Sequence, residues 1–166
     1  MSCVTLRVGD VTVRGRKVIL DGISVGRLEA QDRAAWEELF AGYHAHYGRS
    51  SWPRENYDEA WSRFAQDDRV HARGARVDGR LVGIVHFLTH ASTTTADVCY
   101  LQDLFTAPEA RGKGVARALI AEVESWARKQ GCVRVYWHTK SDNETARRLY
   151  DQVAENRGFI QYLIQL

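Results

Sequence analysis

The sequence predicts a single domain of mixed α and β structure, and three observations carry that prediction. Stretches with apolar residues at helical spacing are interspersed with alternating or continuous apolar stretches of strand length. An apolar content of 45% in 166 residues is enough for one proper core. No internal repeat, low-complexity run or linker separates the elements, so they are expected to share that core.

Residues 1–22 are Val-rich and alternating, with Gly9-Asp10 and Gly15 as turn candidates, and are expected to form short strands or an added hairpin ahead of the main domain at 23–166. ISVGRL, from Ile23, reads as the first strand of that domain. Asp32 is then placed to cap a helix whose Trp36, Leu39, Phe40 and Tyr43 recur at helical spacing. Ser51 and Pro53 open a second helix carrying Tyr57, Ala60, Trp61 and Phe64 and ending near Asp67. His71–Val77 and Arg80–Thr89 flank Asp78-Gly79, a two-residue spacing that predicts a type I′ hairpin.

Asp97–Thr106 is the next strand. A helix from about Lys113 to Gln130 buries Ala116, Leu119, Ile120, Val123 and Ala127 and stops at Gly131. Val133–His138 reads as a strand. Ser141 and Glu144 have capping-box spacing ahead of a last helix with Ala146, Leu149, Tyr150 and Val153, closed by Gly158, and FIQYLIQL reads as a terminal strand.

Composition excludes several function classes. A net charge of +2 is too mild for a nucleic-acid surface, where a concentrated basic face is expected. No apolar run approaches the roughly 18 residues of a membrane span, and no signal-peptide pattern is present, so no membrane partner is expected. Cys3, Cys99 and Cys132 share no metal or redox spacing, which points to a reducing, cytoplasmic setting.

The most informative stretch is QDLFTAPEARGKGVARALI, Gln102–Ile120, where a strand passes through a Pro-containing turn and a basic Gly-rich loop straight into a helix. The first turn of a helix offers amides without intrahelical partners and the positive end of the helix dipole, so an anion is favoured there. Gly112 and Gly114 let backbone approach a ligand, and Arg111 and Lys113 add charge. A P-loop needs Lys and then Ser or Thr after its second Gly, yet Val115 follows Gly114; a dinucleotide fingerprint needs a third Gly, yet Arg117 stands there. An isolated G-x-G is also compatible with a tight turn that binds nothing.

Arg111-Gly112-Lys113-Gly114-Val115-Ala116 matches R/Q-x-x-G-x-G/A, and Asn143, Ala146, Leu149 and Tyr150 match N-x-x-A-x-x-L-Y. With YLQDLFTAPEA upstream, these blocks make the chain from Ile23 onward resemble the GNAT family of acetyl-CoA-dependent N-acetyltransferases, nearest its diamine and small-amine branch. The resemblance implies a central, mostly antiparallel twisted sheet flanked by about four helices. It implies acetyl-CoA as cosubstrate with no metal, a small-molecule amine as acceptor, and a homodimer.

It also implies that amides across Arg111, Gly112, Lys113, Gly114, Val115 and Ala116 hold the CoA diphosphate. Leu104, Phe105 and Thr106 would pair with the pantetheine arm, an amide there polarising the thioester carbonyl, with Asn143, Ala146 and Tyr150 completing the cofactor site. A polarising donor of this kind is worth about 3 kcal/mol. In similar enzymes a bulge splays this strand from its neighbour, but no sequence feature here requires one.

Acetyl transfer to an amine must remove one proton from an ammonium and return one to a thiolate. Tyr150 matches the family position of the general acid, whereas spacing alone reads it as a core aromatic. Gln102 stands where the diamine branch carries Glu, and an amide accepts no proton at neutral pH. Asp103, a water chain or solvent is then left as the proton acceptor, and Asp103 reads equally as a buried structural carboxylate. The resemblance places acceptor specificity in the loop after the first helix, with Tyr43, Tyr47 and Trp52 as substrate-binding candidates beside Asp103, since aromatics near a carboxylate suit a cationic amine.

Those aromatics are also compatible with packing or a dimer contact. His44 and His46 have no third partner in a metal pattern, and Asn143-Glu144-Thr145 reads more simply as a helix start than as a glycosylation site. Amine acetylation of a polyamine, amino acid or amine antibiotic is the expectation. Its rivals are acetylation of a protein or peptide amine, a non-catalytic acyl-CoA-binding module, and a structural domain that binds nothing.

Overall fold

Among the described residues, six strands in sequence order form the sheet: β1 (Val18–Leu20), β2 (Ile23–Arg27), β3 (Val70–Val77), β4 (Arg80–His90), β5 (Val98–Thr106) and β6 (Val135–Tyr136). The computed structural model describes residues 18–20, 22–49, 52–66 and 69–166. Strands β1 to β5 are antiparallel neighbours and β6 joins β5 in parallel, so the sheet is mostly antiparallel, as the resemblance implies. The expected hairpin turn forms where Asp78 (φ 50°) and Gly79 (φ 80°) join Val77 to Arg80, both in the left-handed region that a type I′ turn demands. Of the proposed extension at 1–22, residues 1–17 and Asp21 lie outside the described residues. Val18–Leu20 pairs with β2.

Helices α1 (Arg33–His46) and α2 (Arg54–Gln66) cover one face of the sheet and α3 (Val115–Lys129) the other. Strand alternation along β4 shows how one sequence serves both faces. His86 packs on Trp36 of α1, while Phe87 packs on Trp126 of α3 with ring centroids 4.9 Å apart. Gly83 lies so close under α3 that an added Cβ would sit 2.7 Å from Val115 Cγ1. The core on the α3 face holds Val115, Leu119 and Val123, each at most 1% exposed. Helix α4 (Glu144–Val153) leans against the end of the sheet through Leu149, Tyr150 and Val153, and Arg117 of α3 bonds Gln152 of α4.

The structure corrects several local expectations. Asp32 does not cap α1 through its side chain: a 3-10 turn (Ala30–Asp32) precedes the helix, and the carboxylate accepts from the Glu29 amide at 2.7 Å and from Arg76 of β3. Helix α4 is capped by Asn143, whose Oδ1 accepts from the Ala146 amide at 3.4 Å, rather than by Ser141. It ends at Val153, before Gly158. The strand expected over 133–138 shrinks to Val135–Tyr136, because only Cys99 and Tyr100 of β5 stay alongside it. The segment FIQYLIQL is not a strand: among the described residues it pairs with no other, and Phe159, Ile160, Tyr162, Leu163, Ile164 and Leu166 are 74–110% exposed. Apolar alternation supplies a strand's side chains, but its backbone groups still need a partner.

Candidate functional site

From the end of β5 the chain makes a 3-10 turn (Pro108–Ala110), then an exposed run from Arg111 to Gly114, and enters α3 at Val115. Gly112 (φ 73°) and Gly114 (φ 85°) are both left-handed, a conformation that costs an L side chain roughly 1–2 kcal/mol. The Arg111 amide donates to the Pro108 carbonyl at 3.3 Å. The amides of Gly112, Lys113, Gly114, Val115 and Ala116 donate to no backbone carbonyl among the described residues. They stand at the positive end of the α3 dipole, the arrangement that favours a phosphate. Arg111 turns back onto β5, its Nε donating to the Thr106 carbonyl at 3.4 Å and its guanidinium 6.0 Å from the Phe105 ring. Lys113 stays exposed.

Beside that loop β5 has an open edge. β6 accompanies β5 only at Cys99 and Tyr100, so among the described residues the outer edge of β5 from Leu101 to Thr106 has no strand alongside. Such an edge suits an extended amide-bearing chain that adds itself as a strand. Thr106 Oγ1 is buried there without a hydrogen-bond partner. The bulge that no sequence feature required is present at Gln102: His86 faces Asp103 while Phe87 faces Leu101, leaving Gln102 as the extra residue of β5. The bulge leaves Gln102 exposed and sets Tyr100 and Asp103 on one face.

Asp103 is the centre of a second cluster. It is 8% exposed and faces α1 rather than solvent. His86 Nδ1 lies 2.9 Å from its Oδ2, Trp36 Nε1 donates to His86 Nε2 at 2.9 Å, and the Tyr43 hydroxyl is directed at the same carboxylate. Burial pushes the Asp103 carboxyl up, but the His86 contact and the Tyr43 hydroxyl outweigh it and hold the group below the ordinary carboxylate range. The same carboxylate, after burial itself, raises Tyr43, Tyr47 and Tyr100, so these phenols stay protonated. His44 is shifted the other way, down, by burial. Both of its ring nitrogens lack partners, and its ring is wedged between Phe40 and Trp52 with centroids 4.5 Å from each.

Tyr150 of α4 completes the arrangement. Burial pushes its phenol up to about 12, with Tyr47 adding to the shift, so Tyr47 lies within electrostatic reach of both Asp103 and Tyr150. Trp137 packs edge-on against Tyr150 at 5.3 Å, and the tyrosine lines a groove of about 1030 Å³ between α3, β6 and α4. Lys140 Nζ sits 5.7 Å from the Tyr47 ring centroid.

The structure therefore brings Tyr43 and Tyr47 to Asp103, with Tyr150 within electrostatic reach of Tyr47, and strings Leu104, Phe105 and Thr106 along the open edge leading to the Arg111–Ala116 loop. Other candidates are placed differently. Gln102 is exposed, whereas Asp103 is buried. Asn143 is engaged as a cap and donates through Nδ2 to Thr139 Oγ1 at 3.1 Å, with half-buried Ala146 one turn along. Trp52 packs on Phe40, His44 and Tyr57, inside an aromatic cluster. Ser51 lies outside the described residues. His44 is buried while His46 is exposed, and among the described residues no group of three His, Cys, Asp or Glu side chains is placed to hold a metal ion.

Sequence reasoning missed His86, and it read Tyr100 only as part of the YLQDLFTAPEA block, without a role at the site. The available signal for His86 was one imidazole inside the apolar run LVGIVHFL, a residue that must find partners when buried.

The Acetyltransferase (GNAT) family matches residues 33–154. A D-amino-acid N-acetyltransferase of Saccharomyces cerevisiae is 34% identical over 151 residues, 88% of this chain and 92% of that protein. Among solved structures, a ribosomal-protein-alanine N-acetyltransferase from Brucella melitensis superposes with a TM-score of 0.70 at 27% identity, over 87% of this chain and 99% of that one. The aminoglycoside acetyltransferase AAC(6')-Iy, solved with a bisubstrate CoA analogue, superposes with a TM-score of 0.77 at 18% identity, over 87% and 98% of the two chains, a likeness of fold.

Proposed function

This chain belongs to the GNAT acetyltransferase family and is an N-acetyltransferase; from that premise we propose that it transfers the acetyl group of acetyl-CoA to the primary amine of a small molecule such as an amino acid, a polyamine or an amine antibiotic. The observation that carries this reading is the Asp103 carboxylate, buried, ionised and bordered by phenols, of which Tyr47 also lies within electrostatic reach of Tyr150. A desolvated anion bordered by aromatic rings is a seat for an ammonium. The yeast relative favours an amino acid among the candidate acceptors.

Acetyl-CoA supplies the acetyl group already activated as a thioester. The amides of Gly112 to Ala116 would hold its diphosphate, and the open edge at Leu104–Thr106 would receive its pantetheine arm. The amide donors lacking a backbone acceptor and the orphaned Thr106 hydroxyl fit that ligand. Asp103 orients the acceptor by its charge. A carboxyl held below its usual range is a poor base, so the ammonium proton leaves to water. Tyr150, protonated throughout the working pH range, hands its proton to the departing sulfur and is reprotonated by the second proton that the nitrogen sheds as the amide forms.

We place the enzyme in the cytoplasm, on Cys99 and Cys132 being free thiols; among the described residues no helix is long and apolar enough to cross a membrane. The exposed apolar run at 159–166 supports a homodimer in which a second copy covers it, which light scattering at two concentrations tests. A peptide amine is the second acceptor reading, supported by the likeness to the Brucella enzyme. The test of the whole is amine-dependent release of CoA thiol across a panel of amino acids, polyamines, aminoglycosides and short peptides, with Tyr150→Phe beside the wild type. We expect turnover with at least one small amine and a fall in kcat of at least about a hundredfold in the variant. Saturable CoA binding with no amine-dependent thiol release would contradict catalysis.

A further inference from the structure

Trp36 is only a hydrogen-bond donor, and its Nε1 sits 2.9 Å from His86 Nε2. That nitrogen must therefore present its lone pair, and the ring proton must be on Nδ1, where it donates to Asp103 Oδ2 at 2.9 Å. The imidazole cannot turn over to exchange these roles. Phe64 stacks on it at 4.6 Å, Phe40 stands edge-on at 4.7 Å, and the residue is 1% exposed. A ring with its Nε2 lone pair committed to Trp36 cannot accept a second proton while that bond stands.

The consequence is one of charge. An imidazolium beside Asp103 would neutralise it, whereas a neutral imidazole donates a hydrogen bond and leaves the full negative charge in place.

We propose that Trp36 and His86 are positioning residues for the acceptor amine: Trp36 holds His86 in its Nδ1–H tautomer, and His86 holds Asp103 anionic and aimed, so that the acceptor's ammonium supplies the missing positive charge. The inference rests on the reading of Asp103 as the ammonium seat and adds the device that keeps that seat charged.

The other titratable groups around the pair are Tyr43, His44 and Tyr47 from α1 and Tyr100 from β5, with Arg49 acting on Tyr43 and His44. The phenols carry no charge in the working range. His44 is the one neighbouring group from which a proton-linked effect could be confused with that of His86.

The test is steady-state kinetics of the full chain against pH, with a saturating amine identified from the panel and separate KM values for amine and acetyl-CoA. His86→Leu should raise the amine KM about tenfold to a hundredfold and leave the acetyl-CoA KM unchanged. His86→Asn keeps a neutral donor near the Nδ1 position and should recover most of that loss. Trp36→Phe frees Nε2, so an acidic limb absent from the wild type should enter kcat/KM for the amine. The double variant Trp36→Phe/His86→Asn should lose that limb; its persistence would assign the limb to His44 and overturn the proposal. A Trp36→Phe enzyme with the wild-type profile, or His86→Asn failing equally with both substrates, would overturn it too. If Asp103→Asn leaves the amine KM unaltered, the ammonium seat itself is wrong. If Asp103→Asn raises the amine KM while His86→Leu does not, only the positioning role fails.

Discussion

On the proposed reading, the recognition groups between Thr106 and Ala116 are backbone amides, set by two left-handed glycines and the first turn of α3, and those around Asp103 serve the acceptor amine. The latter are side chains, contributed by α1, β4 and β5 and joined across 17 and 50 residues of sequence. The first site is built by backbone conformation, which Gly112 and Gly114 permit. The second is built by register, and a single changed partner alters its charge. A diphosphate presents the same oxygens whatever it carries, so amides and a helix dipole suffice. An amine must be desolvated, charged and aimed, which takes a buried anion with fixed neighbours.

The sharpest way to break the comparison is to damage one site and read the other. Gly114→Glu forces a left-handed backbone on a residue with a Cβ and puts a negative charge at the end of the α3 dipole. CoA affinity measured by calorimetry should fall more than about a hundredfold, while the His86 ring resonances keep their wild-type shifts. Loss of the His86 signals as well would mean the two sites are one structural unit. Asp103→Asn is the converse. The amine KM should rise about tenfold to a hundredfold with CoA affinity intact, and a joint loss would again deny the separation.

The sites should also part in their response to acid. Because the folded carboxyl of Asp103 is held below its ordinary value of about 4, it adds to stability above that pH. That contribution disappears as pH falls through the lowered folded value. Thermal melts of the wild type should therefore lose more stability between about pH 5 and pH 2 than those of Asp103→Asn, and parallel curves would show that the carboxyl is not specially held. The smallest effect is expected from Lys113→Ala: an exposed lysine beside amides that do most of the binding should change CoA affinity only about two- to threefold, more at low salt.

The same contrast explains what could be read from the sequence. The loop was legible because strand, turn, glycines and helix are contiguous, and each residue's demand is local. The Asp78-Gly79 hairpin was legible for the same reason. The bulge at Gln102 was not, because it is a relation between β4 and β5 and neither strand states it alone. Trp36 was read correctly as an apolar helix position, but its indole N–H finds its acceptor only when α1 is laid across β4. The strand length of β6 was overestimated because alternation at 133–138 says nothing about where β5 turns away. FIQYLIQL carries the side-chain pattern of a strand, but among the described residues its backbone pairs with none.

The most direct test of the account is an amide-resolved titration of the 15N-labelled protein with CoA. The account predicts that the amide protons of Gly112, Lys113, Gly114, Val115 and Ala116 show the largest shifts and saturate together with the measured affinity. Saturation of binding with those amides unmoved would contradict it.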